Sequence, residues 1–228
     1  MRVWQTVSIT LIVGLLSFSY AFGEKYNNEW KKVKESDGII CYTRPTSLTN
    51  VDEVKAVGMI DASVAVIEAV LRDIPAQTEY MFKCDEAFIA DIPGLEDTKD
   101  TIYIYNKTNM PWPLHDRDGI ARTEFMVDEA TGVLFMKAQG ISTDFERDKK
   151  IVRIPIATVT YTLVPIDQDK TEITYTILGD PAGKLPSSLV NMFSKNLGGK
   201  TVSGIREMVK KDRYKNAKSL VTTTPWVR

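Results

Sequence analysis

His115 is the only histidine in these 228 residues, and it stands in the run Met110-Pro111-Trp112-Pro113-Leu114-His115-Asp116-Arg117-Asp118. No Ser or Cys lies beside it to be activated as a nucleophile. The two cysteines, Cys41 and Cys84, cannot complete a four-ligand zinc site with one His. Phosphate-binding and dinucleotide-binding glycine motifs are absent from the sequence, as is any zinc motif. No cofactor, no metal and no catalytic residue is therefore expected. General acid–base chemistry would have to rest on tyrosines, Glu124 or Arg122. The groups that remain are polar side chains in strand-like runs (Tyr103, Tyr105, Arg122, Glu124), Trp112 between two prolines, and Leu189, Phe193 and Leu197 at helical spacing. Such a set suits holding a hydrophobic molecule better than reacting with one.

The elements that position these residues form one domain. Residues 1–23 read as a secretion signal: Arg2, an apolar stretch from Val7 to Phe18, then small residues permitting a cut after Ala21 or Gly23. The stretch is short for a membrane span, which needs about 20 residues. An uncleaved anchor is the alternative. The protein is thus expected to be exported, periplasmic or secreted. Residues 24–218 are long enough for one domain with a sizeable core, and 219–228 read as a flexible tail.

The net charge of −1 conceals an asymmetry: residues 24–183 carry −10 and residues 184–228 carry +8. A basic end on an acidic body points either to transient contact with an anionic membrane or to pairing with the chain's own acidic surface. A nucleic-acid partner is not expected, and the chain is expected to be a monomer. In an exported protein Cys41 and Cys84 can form a disulfide or stay as free buried thiols, and both readings stand.

Periodicity predicts a short helix over 27–34 and a hairpin of strands 39–44 and 51–60. A helix follows from the caps Asp61 and Ser63 to Asp73, and a short one from Pro75 to Met81. Strands follow at 84–92, 101–107, 119–127, 133–140, 156–165 and 172–178. Val159, Tyr161 and Leu163 alternate with Thr158, Thr160 and Thr162, and Ile173, Tyr175 and Ile177 with Thr174 and Thr176, as half-buried antiparallel strands require. Pro186 opens a last amphipathic helix, with Gly198-Gly199 midway as either a close-packing point or a hinge. A sheet of this size must be covered, and that helix is its cover.

Four segments in this order carry a family resemblance: Gly38-Ile39 through Tyr42; Asp52-Glu53-Val54-Lys55-Ala56-Val57-Gly58; Pro111-Trp112-Pro113 with Arg117-Asp118; and Asp180-Pro181-Ala182-Gly183 with Leu185-Pro186 and Leu189-Val190-Asn191. Over about residues 27–214 the chain resembles the START domain, the steroidogenic-acute-regulatory-related lipid-transfer domain. The resemblance implies an α+β helix-grip fold: a curved antiparallel sheet around a long C-terminal helix, with a tunnel for one lipid. Members bind sterols, phospholipids or ceramides, mostly without catalysis, and the last helix and adjacent loops act as a gate.

On this resemblance Arg122 faces the tunnel with Glu124 as its partner, opposed by the reading of the two as an outward surface pair. The tunnel acid of some sterol-binding relatives is missing, its place being Tyr103-Ile104-Tyr105; the two tyrosines are either polar tunnel contacts or lining of a sheet face. Trp112 is either the tip of a gate loop, 109–116, touching a bilayer, or a core plug. Leu189, Phe193 and Leu197 face the tunnel. The expected function is non-catalytic binding and transfer of one lipid or other hydrophobic molecule. A cyclase- or hydrolase-like enzyme of the helix-grip superfamily and a protein-binding module are the alternatives.

Overall fold

The computed structural model describes residues 29–145, 148, 150–183 and 185–220. The expected signal segment, most of the expected tail and the side chain of Phe193 lie outside the described residues.

Residues 31–34 do not form the end of the predicted helix. Lys31–Ser36 form strand β1, paired antiparallel with β2, Ile39–Arg44. Asp37 and Gly38 between them both have positive φ, 53° and 66°. Two such residues make the type I′ turn whose twist matches a hairpin, and Asp-Gly is a favoured pair for it. The turn folds 31–36 back along β2 and overrides a helical periodicity that rested on Trp30 and Val33 alone. The lysines of β1 also blunt an edge strand against further pairing.

Strand β3, Glu53–Ile60, completes the first antiparallel set. Helix α1, Val64–Arg72, starts where Ser63 accepts a hydrogen bond from the Val66 N–H, and buries Val66, Ile67, Val70 and Leu71. A single turn, α2, Gln77–Tyr80, follows. The remaining strands are β4 (Cys84–Ile89), β5 (Thr101–Thr108), β6 (Arg117–Asp128), β7 (Val133–Gly140), β8 (Val152–Arg153), β9 (Ile156–Asp167) and β10 (Lys170–Asp180). Helix α3, Ser187–Met208, closes the order. The sheet runs β1-β2-β3-β10-β9-β7-β6-β5-β4, with β8 parallel to β6. It is a curved, largely antiparallel sheet around a C-terminal helix, the helix-grip architecture in the α+β class.

Side chains inside the curve sort by size along the strands. Tyr175, Tyr161, Met136 and Phe125 make one row across β10, β9, β7 and β6. The next row is Ile177, Val159, Ala138 and Thr123. The row after that is small: Gly179 and Ala157 face each other, as do Gly140 and Ala121. The bulky half fills the interior against α1 and the C-terminal half of α3, where Val202, Ile205 and Met208 are buried. The small half cannot fill it. Ala121, Ala157, Val159 and Ile177 all keep partial exposure on the inner face.

Helix α3 approaches the sheet through glycines. A Cβ added at Gly198 would come within 2.8 Å of the Ala56 Cβ, and one at Gly199 within 2.9 Å of the Cys41 sulfur. At Gly204 it would meet the Tyr80 carbonyl oxygen at 2.6 Å and its Cα at 2.8 Å. Of the two readings of Gly198-Gly199, the structure shows close packing.

Cys41 and Cys84 are both free thiols, Cys41 buried and Cys84 partly so. Ser219 and Leu220, placed by sequence in the flexible segment, both donate to the buried Glu68 carboxylate, which also pairs with Arg72 at 2.7 Å. A buried carboxylate needs several donors, and these residues supply them.

The interior carries a pH liability. Burial pushes the Cys84 thiol from its usual 9.0 to about 11, and raises Tyr80 and Tyr161 well above 10.0. The folded state therefore binds these protons more tightly than the unfolded chain does. Their stabilisation is complete below about pH 9 and declines as pH rises through the folded values. Melting temperature is expected to fall steadily from about pH 9 to 11, and less steeply in a Cys84→Ser/Tyr161→Phe variant. A flat profile across that range would contradict it.

Candidate ligand-binding cavity

The small-residue half of the curve holds a hollow of about 160 Å³. Val54 of β3, Ile177 and Gly179 of β10 and Ala157 of β9 form its floor, and Val190 and Leu197 of α3 its roof. Met110 and Leu185 stand at its rim, on the two loops that flank it. A second hollow of about 230 Å³ adjoins it, sharing Val51, Asp52 and Val190. Each alone is smaller than the roughly 300–1,000 Å³ of most ligand pockets. The interior is neither packed solid nor an open full-length tunnel.

The polar members of the wall are Thr108, Asp52, Asp180 and Arg117. Arg117 is 6% exposed and donates to three backbone carbonyls: His115, Pro181 and Ala182. It thereby ties the 109–116 loop to the 181–186 loop across the rim. Burial lowers its pKa while Asp116 opposes that shift, and the guanidinium remains charged. The neighbouring Asp118 points elsewhere, taking both bonds of Arg153 at 2.7 and 2.9 Å. Together Arg117 and Asp118 fix the start of β6.

The structure separates the residues singled out from sequence. Leu197 lines the hollow, whereas Leu189 is buried without contributing to its wall. Trp112 is 92% exposed at the tip of its loop, so the core-plug reading fails. Arg122, Glu124, Tyr103 and Tyr105 are not cavity residues. Arg122 lies five positions after Arg117, and an odd step along a strand puts two side chains on opposite faces. Arg122 and Glu124 form a half-exposed ion pair at 2.6 Å on the outer face. Tyr103 and Tyr105 sit there too, in a small cluster with Ile120, and Tyr105 stacks on Phe88 with centroids 4.7 Å apart.

Sequence reasoning does not single out Val54, Ala157, Ile177 or Val190 as site residues, although Ile177 belongs to an alternating apolar strand face. The usable signal was the concentration of Gly and Ala at one end of the inward faces of β6, β7, β9 and β10.

The basic C-terminal segment is in large part paired with the protein itself. Lys211 and Arg213 bind Glu79, Lys210 binds Glu207, and Arg206 donates to the carbonyls of Met59 and Asp37. Lys195 and Lys200 remain exposed on α3. Among the described residues there is no cluster of His, Cys, Asp or Glu suited to hold a metal ion, and no helix long and apolar enough to cross a membrane.

A curved sheet gripping a helix over an apolar hollow defines a class of small-molecule-binding proteins, and comparison with known proteins specifies it. The START domain family profile matches residues 23–215, so the chain belongs to the START family. An uncharacterized protein of Pseudomonas aeruginosa is 28% identical over 190 residues, which cover 83% of this chain and 91% of that protein. The crystal structure of a STAR-related lipid transfer protein fragment from Xanthomonas axonopodis superposes with a TM-score of 0.70 at 26% identity. The match covers 80% of this chain and 99% of that one. Human STARD10 shares the fold, with a TM-score of 0.68 at 20% identity over 81% of this chain and 74% of that one. The family and the Xanthomonas lipid transfer protein support a hydrophobic-ligand-binding role.

Proposed function

We propose that this protein binds one lipid or comparable apolar molecule in the hollow beneath α3 and carries it without chemical change. The observation that carries this reading is the apolar hollow itself, walled by Val54, Ala157, Ile177, Val190 and Leu197 under a helix that closes it. Burying ligand surface there contributes about 25 cal/mol per Å². The volume accommodates part of a lipid chain. A whole lipid requires the roof residues Val190 and Leu197 and the two rim loops to move outward, and we take these as the gate. The non-catalytic reading is supported by the wall, whose buried cation is engaged with carbonyls. The test is native mass spectrometry of the purified protein, followed by extraction. One apolar molecule per chain is expected; a bare protein that also fails to take up a fluorescent fatty acid would overturn the reading.

Delivery, in this proposal, occurs at an anionic membrane. Trp112 stands out at the rim beside Met110, and an indole suits the interface because its ring and N–H are both accommodated there. Lys195, beside the second hollow, adds charge attraction. Trp112→Ala is expected to slow transfer to anionic vesicles by about tenfold, a change of about 1.4 kcal/mol, with an unchanged melting temperature because the side chain packs on little. Equal transfer rates for both proteins would remove the loop from the mechanism.

The monomeric state and export to the periplasm or medium complete the proposal. Export rests on the amino-terminal pattern, and the mass of the mature chain tests it: cleavage after Ala21 or Gly23 is expected, and an intact Met1 on a membrane-bound chain would favour the anchor.

A further inference from the structure

Among the described residues, the two most exposed large hydrophobic side chains are Trp112, at 92%, and Leu48, at 67%. Both stand on loops that border the hollows. Leu48 is in the connection 45–52 between β2 and β3, whose last residues, Val51 and Asp52, line both hollows. Trp112 is in the loop 109–116, whose Met110 lines the first. The sheet order puts β2 and β3 on one arm of the curve and β5 and β6 on the other. The two side chains therefore bracket the opening from opposite arms.

Leu48 belongs neither to the core nor to the wall of either hollow. Its loop is braced rather than slack. The Leu48 N–H donates to Thr46 Oγ1 at 3.1 Å, and the Thr49 hydroxyl donates to the Val51 carbonyl at 2.6 Å. The Arg44–Glu53 ion pair, also at 2.6 Å, closes the base. These bonds turn the loop's polar atoms onto one another and leave the leucine side chain in water. Holding it there forgoes the stabilisation that burial would give.

The surroundings of Leu48 decide what covers it. Thr46, Ser47, Thr49 and Asn50 flank it, so it is a single apolar point on a polar loop. A stable protein interface buries a broad patch instead, about 800 Å² on each partner. Exposed cations share this end of the molecule: Lys31, opposite Thr43 in the register of β1 and β2, and Lys195, beside the second hollow. Asp52 is the opposing charge. An isolated apolar tip near cations, at the rim of an apolar hollow, fits an anionic lipid surface. Hydrocarbon takes the tip and headgroups take the cations.

Resting on delivery at an anionic membrane as proposed above, we infer that Leu48 is a second point of insertion, and that the 45–52 and 109–116 loops together seat the opening against the bilayer. One inserted side chain leaves a domain free to rock. Two on opposite arms fix which end faces the lipid, and a molecule leaving the bilayer meets the opening between them.

The test is co-sedimentation of the purified protein with vesicles of equimolar phosphatidylcholine and phosphatidylglycerol. Leu48→Ser is expected to weaken vesicle binding by about tenfold, and Leu48→Phe to keep or tighten it. Both variants are expected to melt with the wild type and to take up a fluorescent fatty acid equally well, because Leu48 lines neither hollow. In the Leu48→Ser/Trp112→Ala variant the losses multiply, to about a hundredfold, since the two side chains are on separate loops. Wild-type binding by Leu48→Ser, or an equal loss in Leu48→Ser and Leu48→Phe, overturns the inference and leaves the cavity and the Trp112 loop as proposed. So does a wild type that is dimeric without vesicles while Leu48→Ser is monomeric, since Leu48 then covers a second copy. A wild type that binds no vesicles removes delivery at the membrane and this inference together.

Discussion

A Val190→Trp variant is expected to fold normally and lose at least about a hundredfold in affinity for a fluorescent fatty acid. Val190 roofs both hollows, so a bulky group there reaches the space shared between them. The side chain is partly exposed and stands over empty volume, so the added ring fills space without displacing packed atoms. Small-to-large changes destabilise when they enter a well-packed site, by about 1–3 kcal/mol, and this site is not packed. The ligand, by contrast, loses the surface it would have buried. A hundredfold loss corresponds to about 2.7 kcal/mol, or roughly 110 Å² of apolar contact at the usual coefficient. Fluorescence titration and thermal melting on the same preparation separate the two effects. Retained affinity would place the ligand elsewhere on the molecule.

The largest expected stability effect is at Gly204. A valine there would drive its Cβ into the Tyr80 carbonyl oxygen and Cα, at 2.6 and 2.8 Å from the ideal position. Those are backbone atoms of α2, which also packs on β4, so α3 must lift away for the substitution to fit. Lifting it disturbs Val202, Ile205 and Met208, all buried. The expected cost is about 3–4 kcal/mol, at or beyond the upper end of ordinary overpacking. Gly199→Ala is expected to be milder, because the atom it meets is the Cys41 sulfur, the end of a side chain, at 2.9 Å. Chemical denaturation of the two variants checks the order. Equal stability of Gly204→Val and wild type would mean that α3 does not rest on Tyr80.

Much of the sheet could be read from alternation. Tyr161 and Leu163, or Ile173 and Tyr175, differ from their neighbours in polarity strongly enough to fix which face turns inward, and all four are buried. Caps and turns fixed α1 in the same way. The failure at 31–36 came from weak periodicity competing with a two-residue turn whose geometry is decisive. Both readings of Arg122 stay open in the sequence because a family position does not say which strand face a side chain takes, whereas the odd step from Arg117 does. The site itself resisted reading because the Gly and Ala that mark it are spread over strands far apart in the chain. It exists where side chains from six elements, far apart in sequence, meet without filling the space between them.

By itself, then, the sequence determined the order of most elements after β1, the inward face of most strands, the proline-braced loop and the family. Each depends on neighbours within a few positions, or on a pattern read along the chain. Only the tertiary structure decided that Arg117 rather than Arg122 meets the cavity, and that Gly198 and Gly204 are points of close approach. Those outcomes depend on which atoms from distant strands come within a few ångströms of one another. Local propensity carries no information about that.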